Sequence, residues 1–143
     1  MTIRLAEPKD LASVLEIEKL SFPTPSDSEF LEKLANDIFL VFEDQEIHGF
    51  LIAGCCHQNI TASILKVAVH PDHRSKGVAT ELFHQLFEIL KDRQIDEVDV
   101  IVDVMWKPAI SMYKKVGFKT ASTVPLVSDD SSFRLMKRKL KRD

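Results

Sequence analysis

Residues 60 to 104 follow a strand pattern, a helix pattern and a second strand pattern, and this order constrains the fold more than any other feature of the chain. ITASILKVAV, from Ile60 to Val69, reads as a strand, and apolar residues then recur at helical spacing through GVATELFHQLFEILKD. VDVIVDV, from Val98 to Val104, alternates with a period of two. Two strands of one sheet that are joined by a crossover helix are almost always parallel. The sequence therefore predicts a parallel pair of strands.

The segments before this unit predict two short helices and a hairpin. Asp10 is placed to cap a first helix, and the serine-x-x-glutamate pattern of Ser26 to Glu29 predicts a capping box at the start of a second one. IFLVFE from Ile38 and IHGFLIA from Ile47, separated by the polar turn DQE, predict antiparallel strands. ITASILKVAV then completes an antiparallel run of three.

The segments after the unit predict one helix and two further strands. The helix is expected from about Lys107 to Gly117, and FKTASTVPLV and SFRLMKRKL read as strands. We therefore predict an α/β fold, of the three-layer α+β kind, in which a mixed, mostly antiparallel central sheet of about six to seven strands has helices on both faces. With 143 residues, 45% of them hydrophobic, the chain is expected to form one domain over residues 1–143.

Charge and composition limit the classes of partner and the cellular location that we expect. The formal net charge of −3 disfavours binding to a nucleic-acid backbone. The N-terminus lacks the pattern of a secretory signal, and no apolar run approaches the ~18 residues of a membrane span, so we expect a cytoplasmic protein that does not enter a membrane. Cys55 and Cys56 are adjacent and on a strand would point to opposite faces, which suits neither a disulfide framework nor a metal site.

The corner between the first strand and the helix of the central unit, HPDHRSKGVATEL, has the features of an anion site. The first amides of the helix are unpaired within it, and Arg74 and Lys76 add positive charge. Gly77 allows the backbone to bend or to approach a ligand. The same residues also fit a plain turn with solvated side chains. The stretch matches neither the dinucleotide fingerprint nor the P-loop, so local physics leaves both interpretations open.

Two motifs resemble those of the GNAT superfamily of acyl-CoA-dependent N-acetyltransferases. Arg74-Ser75-Lys76-Gly77-Val78-Ala79 resembles the family's (Gln/Arg)-x-x-Gly-x-(Gly/Ala) signature, and AISMYKKVGF, residues 109–118, is similar to its A-x-x-(Leu/Met)-Tyr-x-x-x-Gly-Phe segment. The order of elements is also similar from end to end. SFPTPSDSEFL and the overall length look most like the RimI-type ribosomal-protein alanine N-acetyltransferases.

The resemblance implies acetyl-CoA as co-substrate, and no metal. It implies that the parallel strands splay apart near the cofactor, and that a backbone N–H of the first strand holds the developing oxyanion. The residues it assigns to the cofactor bind through their backbone: for the pantetheine arm Val67, Ala68 and Val69, and for the pyrophosphate Arg74, Ser75, Lys76, Gly77, Val78, Ala79 and Thr80.

The resemblance places Tyr113 where the family has its general acid. A phenol with a pKa of about 10 can donate to a thiolate whose thiol has a pKa of about 8.5, although the residue also falls on an apolar helical face and is suited to packing alone. The glutamate expected of a RimI-type base is replaced by Ile101. Alternation along the strand makes Asp103 a candidate base, directly or through a water, and equally an ordinary polar residue at a strand end.

Three residues are candidates for the amine site. Trp106 replaces an asparagine of the family, and it suits stacking on the cofactor, lining the amine site or covering the core. Asp129 and Asp130, between the last two strands, would attract a cationic amine or simply solubilise a turn. His70 and His73 have no third ligand in register, so no metal site is predicted.

The resulting hypothesis is an acetyl-CoA-dependent N-acetyltransferase, monomeric or homodimeric, that acts on a primary amine. The amine belongs to a protein N-terminus or to a small molecule such as a polyamine, an amino acid or an aminoglycoside. Because the expected glutamate and asparagine are missing, a non-catalytic acyl-CoA-binding regulatory module is the rival hypothesis.

Overall fold

The structure, a computed structural model, describes residues 1–22, 27–34, 37–56, 60–125 and 132–140. Its helices and strands, in chain order, are β1 (Thr2–Leu5), α1 (Leu11–Ser21), α2 (Ser28–Leu34), β2 (Ile38–Asp44), β3 (Glu46–Cys56), β4 (Thr61–Val69), α3 (Val78–Asp92), β5 (Glu97–Asp103), α4 (Lys107–Lys115), β6 (Lys119–Pro125) and β7 (Ser132–Lys139). Single 3-10 turns lie at Pro8–Asp10 and Pro71–His73. Within the described ranges, no helix combines the length and the apolar character needed to cross a membrane.

Seven strands in the described part of the chain form one sheet in the order β1-β2-β3-β4-β5-β7-β6. The pairs β1/β2, β2/β3, β5/β7 and β6/β7 are antiparallel, whereas β4 and β5 are parallel. The predicted mixed sheet with one parallel pair is therefore confirmed. Strand β1 was not predicted, so the expectation that two helices come first along the chain is wrong.

The parallel ladder between β4 and β5 is short, and the splaying of these strands that the family resemblance implied stays a prediction. Thr61, Ala62 and Ser63 of β4 pair with Glu97, Val98 and Asp99 of β5. At the last pair the Ser63 hydroxyl also donates to Asp99 Oδ1 over 2.6 Å. The remaining residues of both strands take no part in this ladder, whereas β5 pairs with β7, its neighbour on the other side, along the whole of Glu97–Asp103.

The chain divides into two compact units, and the prediction of a single domain stays a prediction. Unit 1 comprises Met1–Gly54 and Leu65–Ile89. The apolar stripe of α1 packs there against buried residues of α2 and of strands β2 to β4, so that the amphipathic pattern of α1 accounts for its position. The core cluster consists of Val14, Ile17, Leu31, Val41, Ile47, Phe50, Ile52 and Ala68.

Unit 2 comprises Cys55–Ile64 and Leu90–Asp143. The predicted alternation of β5 is confirmed, because Val98, Val100 and Val102 are buried and Ile101 is 68% exposed. Helix α4 buries Ile110 and Tyr113 and ends just before Gly117, whose φ of 101° is the left-handed conformation that glycine adopts without strain.

The prediction that the Asp10 side chain caps α1 is wrong. Asp10 precedes the helix, but its side chain makes no cap hydrogen bond to it. The buried carboxylate instead accepts from both Arg4 Nη atoms, at 2.7 and 2.9 Å, and from the Glu7 backbone N–H at 2.7 Å. These bonds, the Arg4 bonds first, lower the pKa of Asp10. An ion pair to β1 therefore takes the place of a local cap.

The other predicted element bounds agree within one to three residues. Strand β3 begins at Glu46 and continues to Cys56, so it is longer than predicted and the turn after β2 shrinks to Gln45. Gln45 has a φ of 68° at this tight turn. Helix α2 is confirmed at Ser28–Leu34, whereas Ser26 of the predicted capping box lies outside the described residues.

Candidate active site

The predicted anion corner is a turn that leads directly into α3. Ser75 and Gly77 have φ values of 64° and 85°, so two residues are in the left-handed region just before the helix begins. The Gly77 carbonyl accepts from Glu81 N at 3.0 Å, which makes Gly77 the residue that precedes the first helical turn. Glycine has no side chain to cap the first amides of α3, and these amides have no partner within the helix. The first amides of α3 are therefore not used within the helix, which an anion site at this corner requires.

Arg74 is held in this corner by two hydrogen bonds. Its Nε donates to the Val69 carbonyl over 3.0 Å, and its Nη2 donates to Ser21 Oγ over 3.3 Å. The side chain therefore links the turn to the end of β4 and to the last residue of α1, although the residue is exposed. Lys76 is exposed.

The other predicted cofactor residues flank this turn in unit 1. At the end of β4, Ala68 is buried, and Val67 and Val69 are half-buried. The Val69 carbonyl already accepts the Arg74 hydrogen bond. At the start of α3, Val78 is buried, and Ala79 and Thr80 are half-buried. The structure thus brings these residues together with the turn in one compact unit.

Tyr113 lies on α4 in unit 2 and is only 6% exposed. Its ring meets Phe118 edge to face, with 5.5 Å between the centroids. Burial raises the pKa of its phenol to about 12. Compared with a thiol pKa of about 8.5, complete proton transfer from this phenol is uphill by roughly 5 kcal/mol. With unperturbed pKa values, proton transfer from the phenol to the thiolate would cost less free energy. The Tyr113 hydroxyl is therefore better suited to donating a hydrogen bond to the sulfur than to transferring its proton completely.

Asp103 ends β5, where its carboxylate organises the following turn. Its Oδ1 accepts from Met105 N over 2.9 Å, and its backbone carbonyl accepts from Trp106 N over 3.0 Å. This is the usual behaviour of an aspartate that initiates a turn. The residue therefore has a structural role beside the predicted catalytic one.

The end of β5 and the turn after it expose apolar side chains. Ile101 is 68% exposed, Met105 is 76% exposed and Trp106 is 41% exposed. Trp106 directly precedes α4, and its three predicted roles stay open because its side chain is only partly exposed. Asp129 and Asp130 lie outside the described residues.

Comparisons with known proteins agree with this architecture. Residues 10–118 match the model of the acetyltransferase (GNAT) family, a span that includes both motifs. The chain belongs to the GNAT acetyltransferase family. A Bacillus subtilis (strain 168) protein with the provisional name ribosomal protein bS18 alanine N-acetyltransferase is 33% identical over 118 residues, which cover 78% of this chain and 76% of the relative. This GNAT chain is therefore an N-acetyltransferase.

Two solved structures show how closely the fold follows the family. Ard1 from Thermoplasma volcanium superposes with a TM-score of 0.89 at 27% identity, covering 99% of this chain and 98% of that one. An aminoglycoside 6′-N-acetyltransferase in complex with coenzyme A superposes with a TM-score of 0.86, covering 100% and 99% of the two chains. The latter is 17% identical, so it shows the GNAT fold alone.

Two polar clusters of unit 1 were not predicted from the sequence. Glu18, placed on the apolar stripe of α1, is fully buried, and Lys66 Nζ lies 2.8 and 2.9 Å from its two carboxylate oxygens. Glu46 and His48 of β3 lie beside His73. Each cluster joins residues that are more than 20 positions apart, so no local pattern could reveal it.

Proposed function

We propose that this chain transfers an acetyl group from acetyl-CoA to a primary amine, with the N-terminal amine of a protein as the first candidate. The observation that carries the proposal is the start of α3 directly after the left-handed residues Ser75 and Gly77, in a chain of the GNAT family. The name of the Bacillus subtilis relative, a ribosomal-protein alanine N-acetyltransferase, favours a protein N-terminus.

The turn and the start of α3 fit the pyrophosphate of acetyl-CoA. In this proposal the amides between Arg74 and Thr80 hold the phosphates, helped by the helix dipole and the charge of Lys76. Arg74 contributes by keeping the turn in place through Val69 and Ser21. Backbone groups of Val67 to Val69 bind the pantetheine arm. Acetyl-CoA supplies the acetyl group as a thioester.

Tyr113 is proposed to stabilise the sulfur of the leaving group. Its raised pKa keeps the phenol protonated throughout the physiological range, so the O–H group is always present as a donor. Because complete transfer of the proton is uphill, the donated hydrogen bond itself carries the stabilisation until the thiolate is released. Tyr113→Phe should therefore lower kcat much more than it raises the KM for acetyl-CoA.

Asp103 remains the proposed base, directly or through a water. The variant Asp103→Asn separates its two roles, because the amide oxygen can still accept from Met105 N while the group loses its basicity. Loss of activity with unchanged thermal stability supports a base. Unchanged activity means that Asp103 only stabilises the turn after β5. In that case a water accepts the proton of the amine.

The exposed apolar residues at the end of β5 favour a substrate with an apolar part next to its amine. Ile101, Met105 and Trp106 offer this surface where a RimI-type enzyme would have a carboxylate at the first position. Trp106→Ala should raise the KM of the amine with little change in the KM of acetyl-CoA, whereas Trp106→Phe should behave much like the wild type.

The proposal is tested by measuring the release of free CoA thiol with a panel of amines. The panel contains peptides with N-terminal alanine, the same peptides already acetylated, free amino acids, a polyamine and an aminoglycoside. Turnover with free N-terminal peptides and none with their acetylated forms supports the proposal, whereas preferred turnover of a small amine assigns a small-molecule enzyme. Binding of acetyl-CoA without turnover of any amine in the panel contradicts the proposal.

A further inference from the structure

Three potential metal ligands meet on the surface of unit 1. They are Glu46 and His48 of β3 and His73, the last residue of the 3-10 turn after β4. One ligand atom from each lies within 4.8 Å of the other two, and His73 Nε2 is 3.3 Å from Glu46 Oε1. Both histidines are half-buried, and the Glu46 side chain is 74% exposed. An ion in solvent can therefore reach all three.

The backbone holds these side chains together through a bulge in β3. Phe42 of β2 pairs with Gly49 and Glu43 pairs with Ile47, so His48 is the extra residue that has no partner in the ladder. Bulges of this kind redirect one side chain and are common next to functional sites. The His48 carbonyl accepts from His70 N over 2.8 Å, which ties β3 to the turn that carries His73.

We propose that Glu46, His48 and His73 bind one zinc-class divalent transition-metal ion, with Zn²⁺ as the natural occupant. Two imidazoles and one carboxylate form a donor set that Zn²⁺ uses in three-ligand sites, with water completing the tetrahedron. Magnesium and calcium prefer sites made of oxygen ligands alone. From the sequence no metal site was predicted, because His70 and His73 lacked a third ligand, whereas the structure places His73 beside two potential ligands of β3.

The two imidazole rings must rearrange when the ion binds. His48 and His73 are stacked face to face, with 3.5 Å between centroids and 3° between planes, and the Phe42 ring also stacks on His48 with 5.6 Å between centroids. A metal lies near the plane of each imidazole that binds it, so two parallel rings cannot both direct a nitrogen at one ion. One ring has to rotate about its side-chain torsions, and metal binding therefore breaks the stack.

Isothermal titration with Zn²⁺, using protein without an affinity tag and without CoA, tests the proposal. We expect one ion per chain, and an affinity reduced at least about tenfold in Glu46→Gln, His48→Phe and His73→Gln. His48→Phe retains an aromatic ring between its neighbours, so the fold should be preserved. The matched control is His84→Gln, which removes an exposed histidine of α3 and should leave the affinity unchanged.

Cobalt(II) identifies the donor atoms. Bound Co²⁺ should give the visible bands of nitrogen and oxygen ligation without a thiolate charge-transfer band, which would point to the cysteines instead. The proposal is overturned if the wild type binds no Zn²⁺, if the three variants bind it as the wild type does, or if thiolate bands appear. None of these results depends on acetyl transfer, because no CoA or amine is present.

Discussion

Ionisation of Tyr113 can be followed on its own, because it is the one tyrosine of the chain. Burial raises its pKa from 10.0 to about 12. Two pKa units at 1.36 kcal/mol each correspond to about 3 kcal/mol of free energy of unfolding. The folded state retains the phenolic proton between pH 10 and pH 12, whereas the unfolded state loses it near pH 10. This stabilisation is therefore complete below pH 10 and is lost as the pH rises to about 12.

The assay is a titration of phenolate absorbance, with circular dichroism recorded on the same samples to establish which ones remain folded. We expect no phenolate signal from the folded protein near pH 10. We also expect the free energy of unfolding of the wild type, relative to Tyr113→Phe, to fall by about 3 kcal/mol between pH 10 and pH 12. A phenolate midpoint near pH 10 in a folded sample would refute the assignment of a buried phenol, and with it the argument that proton transfer is uphill.

Three further changes test the fold around the site. Lys66→Met removes the cation that pairs with the buried Glu18 carboxylate and should lower the free energy of unfolding in urea by about 3 to 5 kcal/mol, whereas Lys33→Met, in an exposed ion pair, should change it by less than about 0.5 kcal/mol. Asp10→Asn should destabilise at pH 7, and its deficit should shrink below about pH 4 because the lowered pKa of Asp10 stabilises only above that range. Gly77→Ala should cost about 1 to 2 kcal/mol through its φ of 85° alone, because an added Cβ meets no atom within 4 Å; an unchanged stability would contradict this.

The elements that the sequence predicted are those whose pattern is local. The alternation of β5 and the helical spacing of α3 reflect burial on one face, so period alone located both. Strand β1 has four residues, none of them buried, and pairs within the sheet only with β2, so no periodic signal marks it as a strand. An aspartate just before a helix usually caps it, but the Asp10 side chain instead accepts hydrogen bonds from Arg4 of β1, which no local pattern indicates.

In the candidate site, too, the features that depend on neighbouring residues were predictable and those that depend on distant residues were not. A turn, a glycine and a helix start are adjacent in sequence, and the corner before α3 was therefore predictable, including the bend at Gly77. The raised pKa of Tyr113 depends on how deeply α4 is buried, which no residue pattern measures. The cluster of Glu46, His48 and His73 depends on one bulge in β3 and on a turn 25 residues later. The sequence shows which residues have side chains that can bind a metal, but it does not show which of them lie close together in the fold.

Acetyl transfer to an amine is the proposed activity, and its most direct measurement is mass spectrometry of a peptide with N-terminal alanine after incubation with acetyl-CoA and the protein. We predict one added acetyl group on the N-terminal nitrogen, in an amount equal to the free CoA released, and a much slower reaction with Tyr113→Phe. An unmodified peptide, together with no acetylated product from any amine of the panel while acetyl-CoA still binds, would contradict the proposed activity.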